Sequence, residues 1–450
     1  MRAERFVTGT IQILGTRIGN LAVRFVYSIL LARMLGPEGK GIYSLVLIFS
    51  GLFVTFLSFG LGPATVYFTA KGAYPRKTVL ENSSLAILIL GIAGIALGVV
   101  VLLATGQMIY PEIPRQLLFL SLLLIPLNLF NKQLATQYLL GINRIDRYNL
   151  SGFGSVFIPF VFFLVSILLF GRNLTAVIWS RVIGLTFLAG LLYYWLRQSV
   201  GGFSFDLNRG YIKDVYQYGI KAYFANIIGF LNYRVELFLL GYYLPLSTAG
   251  YYAVAVGLAE MLWLVSQSAG TMIFPMVSAE QNEERKKTIT PLVMRTVLGI
   301  TLLGAVILYL LADFFIPLVY SNLYDPSVPL FKILLPGIVF VSGSRVLAND
   351  IAGRGKPILN TYVGGVGFLI QLVLNLSLIP VYGAIGAAWA STTAYLFLLV
   401  VRLAVYMRIS GNNLRSVILP QKKDWDLYWR LIVKIWNDVK QWLKKEKKSY

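Results

Sequence analysis

Arg17, Asn20, Arg24 and Ser28 lie inside an otherwise apolar stretch, TRIGNLAVRFVYSILLARMLGPEGKG, that runs from Thr16 to Gly41. Their spacing of three, then four, then four puts them on one stripe of a helix, with Ile, Leu, Val and Phe on the opposite face. An arginine at the centre of a membrane helix costs about 2.5–3.5 kcal/mol on insertion scales, so such a residue is expected to face a cavity. Guanidinium does not deprotonate and presents a planar fork of donors, which suits phosphate or carboxylate. The chemistry open to this stripe is recognition of an anion at membrane depth. Arg24 sits near the expected midplane; Arg17, nearer one end, can also be read as snorkelling to the headgroups.

The second half of the chain carries its own intramembrane polar groups. Arg234 and Glu236 fall in the seventh apolar segment and Glu260 in the eighth, with Gln267 on the same face. Ser342, Arg345 and Asn349 share a face of the tenth, and Gln371 and Asn375 a face of the eleventh. Arg234 and Glu260 are expected at similar depth, either lining a cavity or gluing two helices as an ion pair. Glu260, then Glu236, are candidates for a coupling carboxylate, with Asp313 and Asp350 nearer span ends. Arg181, Lys221, Arg295 and Arg402 lie close enough to span ends that snorkelling is the expectation. The cavity set is therefore Arg17, Asn20, Arg24, Arg234 and Arg345.

Other chemistries are excluded by inventory. The 450 residues contain no Cys and no His, which removes thiolate nucleophiles, disulfides and the commonest general base and metal ligand. No GxxxxGK[ST] loop is present, so ATP-driven work by this chain alone is not expected. No catalytic role, metal or cofactor is anticipated.

The elements that must position these residues are membrane spans. The chain is 57% hydrophobic and 13% charged, with mean hydropathy +0.71, against roughly 45–50% and 25% for a soluble domain. Apolar runs of spanning length fall at 10–34, 41–70, 83–105, 117–139, 150–170 and 176–196. Six more fall at 216–242, 249–273, 292–313, 328–351, 360–380 and 386–408. The net charge of +21 reflects loops, not a nucleic-acid surface. With Arg2 and Arg5 inside, the inner loops carry Lys71, Arg76, Lys77, Arg144, Arg147, Arg197, Arg209, Lys213, Arg285, Lys286, Lys287, Arg354 and Lys356. The outer connections carry only Arg33, Lys40, Arg115 and Arg172. By the positive-inside rule both termini are cytoplasmic.

LGPEGKGIYSLV from Leu35 and LPLSTAGYYAVA from Leu244 occupy the same place in the two halves, aligning Gly41 with Gly250 and Tyr43 with Tyr252. An even number of spans per half predicts a parallel repeat about the membrane normal. The expected fold is an all-α polytopic membrane protein of about twelve transmembrane helices in two six-helix lobes, 1–200 and 216–408. A cytoplasmic linker, 201–215, joins them, and a basic tail, 409–450, follows. From Asp424 onward, Trp425, Tyr428, Ile432, Ile435, Val439 and Trp442 recur at helical steps among lysines, as in an interfacial helix on an anionic leaflet.

ARMLGPEGKGIYSLV after an Arg-bearing first span resembles the opening of the polysaccharide repeat-unit flippases of the multidrug/oligosaccharidyl-lipid/polysaccharide (MOP) exporter superfamily. NYRVELFLLGYYLPLSTAGYYAVA, GRGKPILN and PVYGAIGAAWASTTAY resemble that family's later segments, in order, over residues 1–410. The resemblance implies alternating access by two lobes and transfer of a polyprenyl-diphosphate-linked oligosaccharide from the inner to the outer leaflet. It also implies that Arg17, Arg24 and Arg234 hold the head group, that the chain is not an enzyme, and that it resides in the cell membrane. Polysaccharide assembly machinery is an expected partner and nucleic acid is not. The alternative is a cation-coupled multidrug or small-molecule exporter of the same superfamily, in which Glu260 would matter more than Arg24.

Overall fold

The computed structural model describes residues 2–105, 110–201, 206–422, 424, 429 and 433, with side chains from Gly15 onward except those of residues 221 and 222. The predicted tail helix therefore lies outside the described residues but for those three positions, and the side chain of Lys221 lies outside them too. The described secondary structure is helical: α1 (Arg2–Leu57), α2 (Leu61–Lys71), α3 (Arg76–Thr105), α4 (Arg115–Leu122), α5 (Leu124–Asn128) and α6 (Thr136–Gly141). Then come α7 (Ile145–Phe170), α8 (Leu174–Val200), α9 (Arg209–Asn232), α10 (Val235–Tyr243), α11 (Leu246–Ala259) and α12 (Trp263–Ala279). The last are α13 (Glu283–Tyr320), α14 (Ser327–Gly353), α15 (Pro357–Ser410) and α16 (Leu414–Ile418).

Among the described residues, nine helices are long and apolar enough to cross a membrane. Two of them are hairpins. In α1, Gly36 takes φ 68°, a conformation glycine adopts without penalty, and Pro37 starts the second arm where its missing N–H costs nothing. The arms fold back, so that Tyr27 Oη meets Tyr43 Oη at 3.0 Å and Lys40 Nζ donates to Ser28 Oγ at 3.2 Å. In α15 the corner is Gly383, φ 61°, and Gln371 again approaches Ser391 across it. A further crossing is α9 with α10, a helix broken at Tyr233 and Arg234. The hairpins and the broken helix account for the twelve expected segments. Their ends extend beyond the apolar runs because polar turns continue each helix past the hydrocarbon. The band Leu302, Leu303, Leu310, Leu311 and Phe314 on α13 is exposed, as lipid-facing residues are.

Packing divides the chain into two units. The first comprises 1–261, 307–337 and 364–394, the second 262–306, 338–363 and 395–450. In the first, the second arm of α1 crosses α11 at the repeat-related glycines. A Cβ on Gly41 would overlap the Leu246 carbonyl and stand 3.0 Å from Gly250 N; one on Gly250 would overlap the Pro37 carbonyl and stand 3.1 Å from Gly41 N. Small residues at such a crossing let backbones pack directly, the usual basis of helix association in lipid. The reciprocity of the contact is what a two-fold repeat about this point produces. The same offset carries Tyr27 onto Glu236 and Tyr43 onto Tyr252.

The second unit has its own apolar cluster, including Ile273, Val277, Met294, Val346, Leu347 and Tyr406. Buried charges are paired within it, as burial demands. Arg295 grips Asp424 through Nε at 2.6 Å and Nη2 at 2.8 Å, and it also donates to the Ser416 carbonyl. Arg402 donates to Ser344 Oγ at 2.7 Å, and Arg354 Nε to Asp350 at 2.6 Å. The snorkelling expected of Arg295 and Arg402 is thus replaced by inward hydrogen bonds. Both are under a tenth exposed.

Candidate anion-binding site

Three local irregularities each carry a charged side chain of the first unit. The fourth crossing contains a π-helical turn, Leu129–Ala135, bearing Lys132. The seventh breaks at Arg234, whose φ −139° and ψ −11° leave the helix. The eighth narrows to a 3-10 turn at Glu260–Leu262. Such interruptions free backbone groups and re-aim side chains, and they recur at functional sites in membrane proteins.

Arg234 forks onto Glu260, Nη1 to Oε1 at 3.0 Å and Nη2 to Oε2 at 3.3 Å, and also reaches the Tyr233 carbonyl at 3.1 Å. This is the ion pair expected from their depth. Arg24, on the first arm of α1, is exposed and stands within electrostatic range of Arg181, Glu260 and Arg234. Arg181 does not snorkel: its Nη1 donates to Tyr43 Oη at 3.2 Å, because the Tyr27–Tyr43 pair offers an acceptor on the interior side. Lys132 feels both Arg181 and Arg24. Asn20 and Arg17 are half-buried one and two turns before Arg24 on α1, and among the described residues Arg17 Nη1 and Asn20 Oδ1 lack hydrogen-bond partners.

Glu236, two residues past Arg234, is buried at 2% exposure. It accepts from Gln371 Nε2 at 3.1 Å, and Ser391 Oγ links Gln371 to Tyr252 Oη at 3.2 Å. Asn375 Nδ2 donates to the Gln371 carbonyl at 2.8 Å. Gln371 Oε1 and Asn375 Oδ1 are buried without partners. Arg345 lies in the second unit, its guanidinium 3.8 Å from the Trp263 ring centroid, with Asn349 Nδ2 donating to its carbonyl.

Sequence reasoning passed over Lys132 and misread Arg181. A lysine nine residues inside a helix that ends at Gly141 was itself a signal, since a charge that deep needs a polar surrounding. For Arg181 the signal lay in Tyr27 and Tyr43, and only the folding back of α1 reveals it.

The described residues form a helical membrane protein with interrupted spans and charged groups at the interruptions. The chain belongs to the polysaccharide biosynthesis protein family, which matches residues 30–329. It is similar to a probable low-salt glycan biosynthesis flippase of Haloferax volcanii, 22% identical over 186 residues, 41% of this chain and 39% of that one. The chain spans about two fifths of the length of the curated relatives it matches. Its fold is similar to that of a MATE-family multidrug resistance transporter of the MOP superfamily in the inward-facing conformation, with TM-score 0.72, 15% identity, and coverage of 89% of this chain and 98% of the other. It is similar also to the lipid II flippase MurJ in an inward closed conformation, with TM-score 0.71, 15% identity, and coverage of 90% of each chain.

Proposed function

We propose that the chain is a flippase that carries a polyprenyl-diphosphate-linked oligosaccharide, a polysaccharide repeat unit, from the inner to the outer leaflet by alternating access of its two halves. Arg17, Asn20, Arg24, Arg234 and Arg345 hold the anionic head group while the lipid tail stays in the bilayer. The protein resides in the cytoplasmic membrane with both termini inside, its basic tail on the anionic leaflet, beside the polysaccharide assembly machinery. It acts as a transporter, not an enzyme. The observation that carries this reading is Arg24: exposed at membrane depth and surrounded by an excess of cations, it is set to meet an anion and not a cation. Several moderate contacts suit a cargo that must also be released.

Glu236 and Glu260 are the groups to which ion coupling is assigned. Glu260 is occupied by Arg234, whereas Glu236 is buried among neutral oxygens and amides, two of them unpartnered, as in midplane cation sites of secondary transporters. This favours Glu236. In vesicles of the purified chain, appearance of the sugar of a labelled lipid-linked oligosaccharide on the far side should fall by at least about tenfold in Arg24→Gln. In Glu236→Gln the dependence on a sodium or proton gradient should vanish. An Arg24→Gln rate equal to wild type would remove Arg24 from the site.

A further inference from the structure

Arg234 is half spent. Both of its terminal nitrogens face one carboxylate, so bringing a phosphate there means displacing Glu260 or adding a second anion beside it. Arg24, Lys132 and Arg181 differ. Among the described residues no carboxylate forms an ion pair with any of them, and the carboxylate within range of Arg24 is the one Arg234 already holds. Three positive charges from three different crossings lie within electrostatic range of one another, with no counter-ion of their own among the described residues.

The crowding is built in by hydrogen bonds. Tyr27, one turn past Arg24, bonds Tyr43 at 3.0 Å, and Tyr43 accepts from Arg181 at 3.2 Å. Asn131 Nδ2, beside Lys132, donates to the Leu185 carbonyl at 3.0 Å, which ties the π-helical turn to α8 one turn from Arg181. Asn131 is 1% exposed and Tyr27 and Tyr43 are buried, so the scaffold is rigid. Lys132 and Arg24 are exposed, and Arg181 Nε is buried with no acceptor.

We infer that Arg24, Lys132 and Arg181 form the diphosphate subsite of the transporter, with the Tyr27–Tyr43 pair and Asn131 as its positioning residues and the Arg234–Glu260 pair outside it. The inference rests on the flippase reading for its cargo, and it assigns the pyrophosphoryl group to the N-terminal half alone. Two linked phosphates offer three cations more charge and more acceptor oxygens than a single orthophosphate does. By the same repeat offset, Glu236 stands in the second half where Tyr27 stands in the first, so the two corners select ions of opposite sign.

The test uses the full chain in detergent, with inorganic pyrophosphate as probe and the unfolding midpoint as readout. Pyrophosphate should raise the midpoint at concentrations where orthophosphate does not. Lys132→Gln and Arg181→Gln should each weaken the apparent affinity by at least about tenfold, and Lys132→Arg by no more than about threefold. Should Lys132→Gln fail to fold, the Arg181→Gln titration decides alone. Equal response to orthophosphate, or unchanged affinity in the Lys132 and Arg181 variants, overturns the assignment. Wild type that binds pyrophosphate in this pattern, yet leaves lipid-linked oligosaccharide in its leaflet, keeps the subsite and sinks the flippase reading. Transport that persists unchanged in Lys132→Gln does the reverse.

Discussion

The Arg234–Glu260 pair sits between the cationic corner and Glu236, and it touches both electrostatically. A bidentate guanidinium–carboxylate contact at 3.0 and 3.3 Å is strong in a low-dielectric surrounding but here is only partly buried, with the arginine 37% and the glutamate 20% exposed. It is therefore a contact that substrate or ion can break and remake. Removing either partner leaves the other mismatched. Glu260→Gln and Arg234→Gln should each cut transport by roughly tenfold or more, while the double variant should be no worse than the poorer single one. Losses that multiply in the double variant would show that the two act separately. This pair was legible in the sequence, since both residues fall inside apolar runs at matching depth. Lys132 was legible as a deep charge, but what it and Arg181 face was not, because side-chain direction depends on helix rotation, and a π turn changes that rotation with no sequence mark of its own.

At the scale of elements, the α1–α11 crossing and the Arg295–Asp424 contact each rest on one local fact. Gly41 and Gly250 face backbone carbonyls, so an added methyl has nothing flexible to push aside. Gly41→Ala or Gly250→Ala should cost about 1–3 kcal/mol by overpacking. Gly257→Ala, on the same α11 but with open space around it, should be neutral or stabilising. Thermal unfolding of the three variants in detergent checks this, and equal midpoints would contradict the crossing. The repeat in the sequence pointed to these glycines by position; that they touch each other was not readable, because an offset says what is equivalent and not what is adjacent. Arg295 and Asp424 are both buried, so Asp424→Asn strands a guanidinium and should destabilise by about 3–5 kcal/mol. Arg295 holds the Asp424 carboxyl below the usual carboxylate range. The contact thus stabilises the fold above about pH 4, and that contribution is lost as the pH falls through the depressed value. Asp424→Asn should flatten the acid limb of the stability profile; an unchanged limb would exclude Asp424 as its source.

The whole molecule was the most legible level. Twelve apolar runs specify a helical polytopic membrane protein because bilayer thickness and backbone hydrogen bonding leave few alternatives. What the runs missed were the interruptions inside them, at Lys132, Arg234 and Glu260, where charged side chains sit. The orientation proposed from loop charge can be tested directly, since the chain has no native cysteine. Asp146→Cys and Arg172→Cys flank the ends of α7 (Ile145–Phe170), a helix about 39 Å long at 1.5 Å per residue. An impermeant thiol reagent added outside cells should label the second and spare the first.

The central claim is the cargo. Purified wild-type chain in vesicles should move a polyprenyl-diphosphate-linked oligosaccharide, labelled on its sugar, to the opposite leaflet faster than protein-free vesicles do. It should leave cationic drugs untransported. Vesicles that expel cationic drugs down a sodium or proton gradient, and hold every lipid-linked oligosaccharide in its original leaflet, would contradict the account and identify a drug exporter built on the same fold.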